Sequence, residues 1–409
     1  MRPFHCILLF ALCVSQFLPL AFCAMALPTI LLVQGVPLEK ISLIYLVGMI
    51  WVLKFIWAPL VDRVKFGRFG HYKPWLIISQ TLLVATTIVF TLVGDVNNFQ
   101  LMLIMAVLIC VFASTQDIAA DAIACRLIPE NQRGLGSAIQ MSGGLIATVL
   151  GGGVVLVLYE YIGWQLSMWV IAAAVAAAIS LIVLFDETDI ELSQEVYLHR
   201  PTLGRLISFW LKPGMGIWAA ILIILPLSIT VAWALASPIL VQRGWTTDKI
   251  GILLHIIAPI LGVIVAVGFG YLLNNYNKWL VISLVPILQL VAVLVLYSFI
   301  DVPLSVNGII LALLLVYCMD IALFVVLNAF KLEFSDDGTE GTDFTVQNSL
   351  HALAAFAVAA AALFFAESTG FANLILISIG LTLFSGLFLY CIVALQKRNG
   401  VIQNPNLTS

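Results

Sequence analysis

Six ionisable side chains fall inside long apolar stretches: Lys54, Asp117, Asp121, Asp320, His255 and His351. An ionised group at the centre of a membrane-spanning helix costs at least about 2.5–3.5 kcal/mol on insertion scales, so such residues face a partner or a wet cavity and mark substrate or ion pathways. Lys54 stands in WVLKFIWAPLVDR, residues 51–63, eight residues before Asp62. At 1.5 Å of rise per residue that is roughly 12 Å inside the charged boundary. Snorkelling toward Asp62 is disfavoured, because helical side chains lean toward their own N-terminus. Asp117 and Asp121 lie at comparable depths, about 14 and 8 Å from the boundary at Arg126. Four residues apart, they share one helix face. The spacing therefore predicts a Lys54–Asp117/Asp121 cluster, serving either translocation or the plain locking of two helices. Asp320 has only Lys331 in its neighbourhood, and Lys331 reads as too close to the surface to neutralise it; an unpaired acid in a low-dielectric cavity can carry a proton. His255 and His351 titrate near neutrality where water reaches them. Among the tryptophans, Trp51, Trp75, Trp164 and Trp169 fit interfacial belts, whereas Trp57 is deep enough to serve as a substrate platform.

The elements that must hold these residues are membrane helices. Of 409 residues, 63% are apolar and 10% charged, against about 25% charged in soluble domains. Apolar runs of spanning length occupy 5–33, 40–61, 74–94, 99–126, 135–159, 164–185, 212–241, 249–273, 279–300, 306–330, 344–367 and 371–396. Every backbone amide must be satisfied within each segment in lipid, so these are twelve helices and not sheets. The N-terminal run mimics a secretory signal through FCAMA, but it continues to Val33, long enough to span at about 20 residues, and is read as the first helix. Fourteen lysines and arginines fall on the side of both termini and three on the other, which places both termini in the cytoplasm. The seven cysteines form no CxxC pair and read as small core hydrophobes. No Walker loop, HExxH, GxSxG or His/Cys metal cluster occurs, so no ATP motor, enzyme activity, cofactor, metal or nucleic-acid partner is expected.

The polar interval 186–211 divides the chain into six-helix halves, 1–185 and 212–409, with its acidic beginning read as a solvated linker. A weak internal repeat agrees with the division. QDIAADAIACRLIPENQRGLGSAIQ resembles MDIALFVVLNAFKLEFSDDGTEGTDFTVQ, matching Asp117 to Asp320, Arg126 to Lys331, Gly134 to Gly341 and Gln140 to Gln347. Gln140 and Gln347 thereby join the candidate site. Small residues in GLGSAIQMSGGLIATVLGGG and HALAAFAVAAAALFF predict close helix packing.

DRVKFGRFGHYKP resembles the loop signature of the major facilitator superfamily. The resemblance implies a cytoplasmic latch in which Asp62, followed by Arg63, braces against Arg126. LKFIWAPLVDR with STQDIAADAIACRLIPENQRGLGSA is similar to the branch holding AmpG-type muropeptide permeases, acetyl-CoA transporters and RhtX/FptX-type siderophore importers. AmpG-type permeases commonly carry two further spans, so the length and GTDFTVQNSL look more like the siderophore importers. What the resemblance implies is an all-α protein of two pseudo-symmetric six-helix bundles in the bacterial inner membrane. It would import a small molecule, an iron-siderophore, from periplasm to cytoplasm by alternating access with proton coupling. A muropeptide permease, or a non-transporting receptor or scaffold of the same fold, is the alternative.

Overall fold

The computed structural model describes residues 1–34, 36, 38–66, 70–93, 98–187, 203–300 and 306–398; most of the predicted linker lies outside them. Described residues in regular structure are all helical. Helix α1, Pro3–Val33, contains a π turn at Phe22–Ala26 ahead of Pro28. The second predicted span is not one helix. It comprises Leu38–Val47, Met49–Leu53, a 3₁₀ turn Lys54–Ile56 and Ala58–Arg63, together α2. Pro59 explains the break: it has no N–H to donate to Phe55, and its ring crowds that carbonyl. Trp57 N–H instead bonds the Lys54 carbonyl at 3.2 Å, the tighter i to i+3 pattern.

Helices α3, Tyr72–Val93, and α4, Phe99–Leu127, follow. One long run then divides at Gly163, whose φ of 74° and ψ of −179° suit only glycine well, giving α5 (133–162) and α6 (164–184). The short α7, Arg205–Ser208, precedes α8, Met215–Gln242, and α9, Lys249–Asn275. The chain ends in α10, Lys278–Ile300; α11, Val306–Phe334; α12, Glu340–Thr369; and α13, Phe371–Arg398. Ten helices among the described residues are long and apolar enough to cross a membrane, with Glu130–Leu184 counted once and the broken α2 not counted.

Apolar packing forms one large core mainly in the second half, joined by Leu145, and two mainly in the first, one of them joined by Leu332 and Phe344. The halves meet along α5 and α9, and where the first turns of α12 reach α2 and α4. On the α5–α9 seam a Cβ at Gly270 would stand 2.8 Å from the Gly134 carbonyl and 2.6 Å from Ala138 Cβ, so the glycines permit backbone contact. The expectation for α12 does not hold: of residues 351–366 only Ala362 is buried, so its alanine run is not a packed seam. Cys391 is exposed, unlike the buried Cys13, Cys23 and Cys110.

Structural register corrects the repeat. Leu127 to Phe334 and Arg133 to Glu340, the matching helix ends, are each 207 positions apart. That spacing keeps Gly134 opposite Gly341 and Gln140 opposite Gln347, but sets Asp117 opposite Phe324, Asp121 opposite Asn328 and Arg126 opposite Glu333. Asp320 therefore lies about one turn, roughly 6 Å, farther from the α11–α12 loop than the equivalent of Asp117.

Candidate functional site

Depth and spacing bring Lys54 and the two α4 carboxylates together. The 3₁₀ turn holds the Lys54 ammonium against Asp117 Oδ2, with Asp121 Oδ2 at 4.0 Å. All three side chains are at least nine-tenths buried. A buried ion pair is tolerable only when further hydrogen bonds satisfy its remaining atoms. Gln16 on α1 supplies one, its Nε2 donating to Asp117 Oδ1 at 2.5 Å. Gln140 on α5 donates to Asp121 Oδ1 at 3.0 Å and accepts from Asn328 on α11 at 3.1 Å. Asp121 Oδ2 has no hydrogen-bond partner among the described residues. Trp51 places its ring 4.7 Å from the ammonium, a cation–π distance.

The network continues into the second half. Lys331, three residues beyond Asn328 and so on a neighbouring face, is fully buried and not at the surface. Its ammonium donates to Asn348 Oδ1 at 2.8 Å and meets His351 Nδ1 at 3.2 Å, with the Phe324 ring 5.2 Å away. Asp121 interacts electrostatically with both lysines. Hydrogen bonds and ion pairs thus join α1, α2, α4, α5 and α11 as far as Asn328, and Lys331 with Asn348 and His351 forms an adjoining polar group between α11 and α12.

Other expected members stand apart. Asp320 is half-buried, beside Tyr317, and makes no hydrogen bond or ion pair among the described residues. His255 sits in the α9 π turn that packs on Gly153 of α5, outside the lysine network. Trp57 donates to Thr115 Oγ1 at 3.2 Å and braces α2 on α4; Trp51, assigned above to an interfacial belt, holds the position over the ammonium. Gln347 accepts from Trp218 at 2.7 Å and donates to the Asp343 carbonyl at 2.9 Å, so it ties α12 to α8 and to its own first turn. Sequence reasoning missed Gln16, Asn328, Asn348 and the depth of Lys331. The available signal was an uncharged amide inside an apolar run.

At the end of the bundle bearing the α2–α3 and α4–α5 loops, Asp62 and Arg126 do not pair directly. Both converge on the first turn of α12. Asp62 Oδ2 accepts from Thr342 N–H at 2.7 Å, a carboxylate at a positive helix end. Arg126 forms a two-pronged bond to Glu340 at 2.6 and 3.1 Å, the fork geometry that makes arginine specific. Tyr72 links the two by donating to Asp62 at 2.8 Å and approaching Glu340 at 3.2 Å. Arg63 is exposed and takes no part. The acidic interval is not wholly solvated at its start: buried Glu187 accepts the backbone N–H groups of His71, Tyr72 and Lys73 at 2.8–3.0 Å and lies 3.7 Å from Arg126. Burial, with the Arg126 charge adding to it, lowers His71 to about 4.

The α5 end has a counterpart. Asn274 Oδ1 accepts from Leu135 N–H at 3.2 Å, and Arg133 faces Glu333 at 4.0 Å. Nearby, Arg205 bridges Asp343 and Asp336, and Lys212 also reaches Asp336. Burial acts to raise the Asp336 carboxyl, but hydrogen bonds from Lys212 and Arg205 outweigh it and lower it overall.

A recess of about 670 Å³ lies on the flank of α3 and α6, lined by Phe66, Ile77, Val183 and Glu187 among others. No residue of the lysine network lines it, and it is not the candidate site. No group of three metal-ligating side chains occurs among the described residues.

The Major Facilitator Superfamily model matches residues 6–359. The chain is 26% identical over 274 residues to the anhydromuropeptide permease of Escherichia coli (strain K12), covering 66% of this chain and 56% of that permease. It is 26% identical over 291 residues to the transporter AmpG 4 of Rickettsia conorii, covering 67% and 69%. The first is named as a muropeptide permease and neither name mentions a siderophore, so the siderophore assignment is not supported. Among solved structures, the human organic anion transporter MFSD10 superposes with a TM-score of 0.72 at 16% identity, over 95% of this chain and all of that one. A bacterial homologue of the iron transporter ferroportin, in an outward-facing state, gives 0.70 at 15% over 96% and 100%. These likenesses establish the fold alone, and together with the family match over most of the length they show that the chain belongs to the major facilitator superfamily of membrane transporters.

Proposed function

We propose that the protein is a secondary transporter with twelve spans, counting α2, and counting α5 and α6 separately, with both termini in the cytoplasm of a bacterium. It imports a peptide-bearing amino sugar of the anhydromuropeptide type, coupled to protons. The observation that carries this reading is the buried polar network from Gln16 to Asn328, which crosses between the halves at the Gln140–Asn328 hydrogen bond and adjoins the buried Lys331 group. A scaffold gains little from two buried lysines, whereas alternating access requires a site at the interface of two repeats. In this reading Lys54 and the α4 carboxylates exchange partners as the halves rock. Asp320 is the proton carrier on the α11 face. The Asp62–Arg126–Glu340 latch closes the cytoplasmic end.

Uptake of a labelled anhydromuropeptide into proteoliposomes tests the proposal, with a ferric siderophore as the second substrate. Uptake of the muropeptide that collapses with a protonophore supports it. Retained uptake in Asp117→Asn, Lys54→Met and Asp320→Asn, at normal protein levels, removes those residues from the mechanism. Transport of the siderophore alone removes the substrate.

A further inference from the structure

We propose that the Lys331 ammonium is an anion-binding subsite that receives a carboxylate of the transported molecule; this deepens the transporter reading above and rests on it. The two buried lysines differ in their partners. Lys54 meets the Asp117 carboxylate directly. Lys331 is equally buried, yet its contacts are all neutral: Asn348 Oδ1, His351 Nδ1 and the Phe324 ring. Among the described residues no carboxylate forms an ion pair with it; Asp121 acts only at longer range.

An ammonium has three donors, and two of them are taken by the amide and the imidazole. A buried cation is ordinarily matched by a counter-charge, because desolvation otherwise disfavours it. A lysine serving only to lock α11 on α12 would need no charge at this position. Asn348, His351 and Phe324 are each half-buried while Lys331 itself is not exposed, so an anion would reach the ammonium by way of these partners. Asp320 would repel an anion, but it is eleven residues away on α11, about 16 Å along the helix. The substrate class is therefore an organic acid whose carboxylate completes the ammonium, while its neutral portions face the surrounding amides.

Thermal unfolding of the purified full-length protein tests the subsite without assuming the substrate. The probes are succinate, citrate and N-acetylmuramate, each against its uncharged amide and against sodium chloride at equal ionic strength. A bound anion stabilises by mass action. Wild type and Lys331→Arg are expected to gain at least about 2 °C with one or more acids, and Lys331→Gln to gain nothing. Equal gains in Lys331→Gln, no gain with any acid in wild type, or stabilisation by inorganic phosphate alone each overturn the inference. A separate arm measures binding of the anhydromuropeptide and its carboxyl-amidated form. The acid is expected to bind about 10–100-fold tighter, the range for a charge-assisted hydrogen bond, with the difference lost in Lys331→Gln. Absence of muropeptide binding alongside acid-dependent stabilisation of wild type refutes the substrate reading and leaves the subsite standing. Equal binding of the two forms refutes the subsite.

Discussion

Replacing Lys54 by methionine removes the only carboxylate-paired cation of the central network, and its effect follows from the geometry. Asp117 loses its direct partner, Asp121 loses the charge at 4.0 Å, and both remain buried. Breaking a buried pair from one side costs about 3–5 kcal/mol. Asp117→Asn is the milder change, because Lys54 keeps Asp121 and the new amide still accepts from Gln16; about 1–3 kcal/mol is expected. The double variant leaves neither an orphan cation nor an orphan anion at the Lys54–Asp117 contact. Its expected cost is no more than that of Lys54→Met alone, giving a coupling of about 1–3 kcal/mol between the two positions. Reversible unfolding in mixed detergent micelles measures all four corners of the cycle, and proteoliposome uptake is read on the same samples. The double variant should be no less stable than Lys54→Met, while uptake stays lost. Additive stability costs would refute the pairing argument. A double variant that transports at the wild-type rate would show that the pair only locks α2 to α4.

Four further outcomes are expected. Arg126→Ala or Asp62→Asn loosens the contact on α12, raising the reactivity of a cysteine placed at the buried Thr345 of the same helix toward a water-soluble thiol reagent at least several-fold; unchanged reactivity would remove the latch. Gly270→Ala presses a Cβ to 2.8 Å from the Gly134 carbonyl and should cost about 1–3 kcal/mol of stability, while Gly268→Ala, which meets nothing within 4 Å, serves as the neutral comparison. For pH, His71 is lowered to about 4, so the unfolded chain takes up its proton first as pH falls below about 6.5. Stability from this group falls between about pH 6.5 and 4, and His71→Gln should flatten the melting temperature over that interval. Asp336 works in the opposite sense. Its lowered carboxyl contributes stability that is full above about 3.9 and is lost as pH falls through its folded value, a loss that Asp336→Asn removes.

What the sequence made legible was set by charge and hydropathy. Long apolar runs with few alternatives in lipid gave the helices, and a depth count from Asp62 and Arg126 brought Lys54 to Asp117. That count worked although α2 is broken at the lysine itself, because a single 3₁₀ turn changes axial position by only a few ångströms. It failed for Lys331. The apolar run ends at Phe330, but α11 continues to Phe334 and the second half packs over its end, so a residue counted at the surface is interior. Gln16 and Asn328 were overlooked because uncharged amides barely register in a charge-based search, although burial makes a hydrogen-bond partner obligatory for them too. At the end bearing the α2–α3 loop, Asp62 and Arg126 share one cluster as the resemblance implied, but Arg63 does not join it and the two residues do not pair with each other. Asp62 and Arg126 are joined through α12 and through Tyr72 of α3, tertiary contacts that no local pattern encodes.

The charges at that end also account for how two halves of unlike sequence close on each other. Arg126 at the end of α4 reaches Glu340 at the start of α12, while Glu333 at the end of α11 faces Arg133 at the start of α5. In the 207-position register these are the same two places with the charges exchanged. Each pair crosses between halves, so neither can persist if the halves separate at this end. The backbone contacts repeat the pattern, with Asp62 on Thr342 and Asn274 on Leu135. They are not equal in strength. The first uses a carboxylate and a forked arginine bond, the second a neutral amide and an ion pair at 4.0 Å. Charge-assisted bonds are roughly twice as strong as neutral ones. The α2–α12 side should therefore contribute more than the α5–α9 side to holding this end closed.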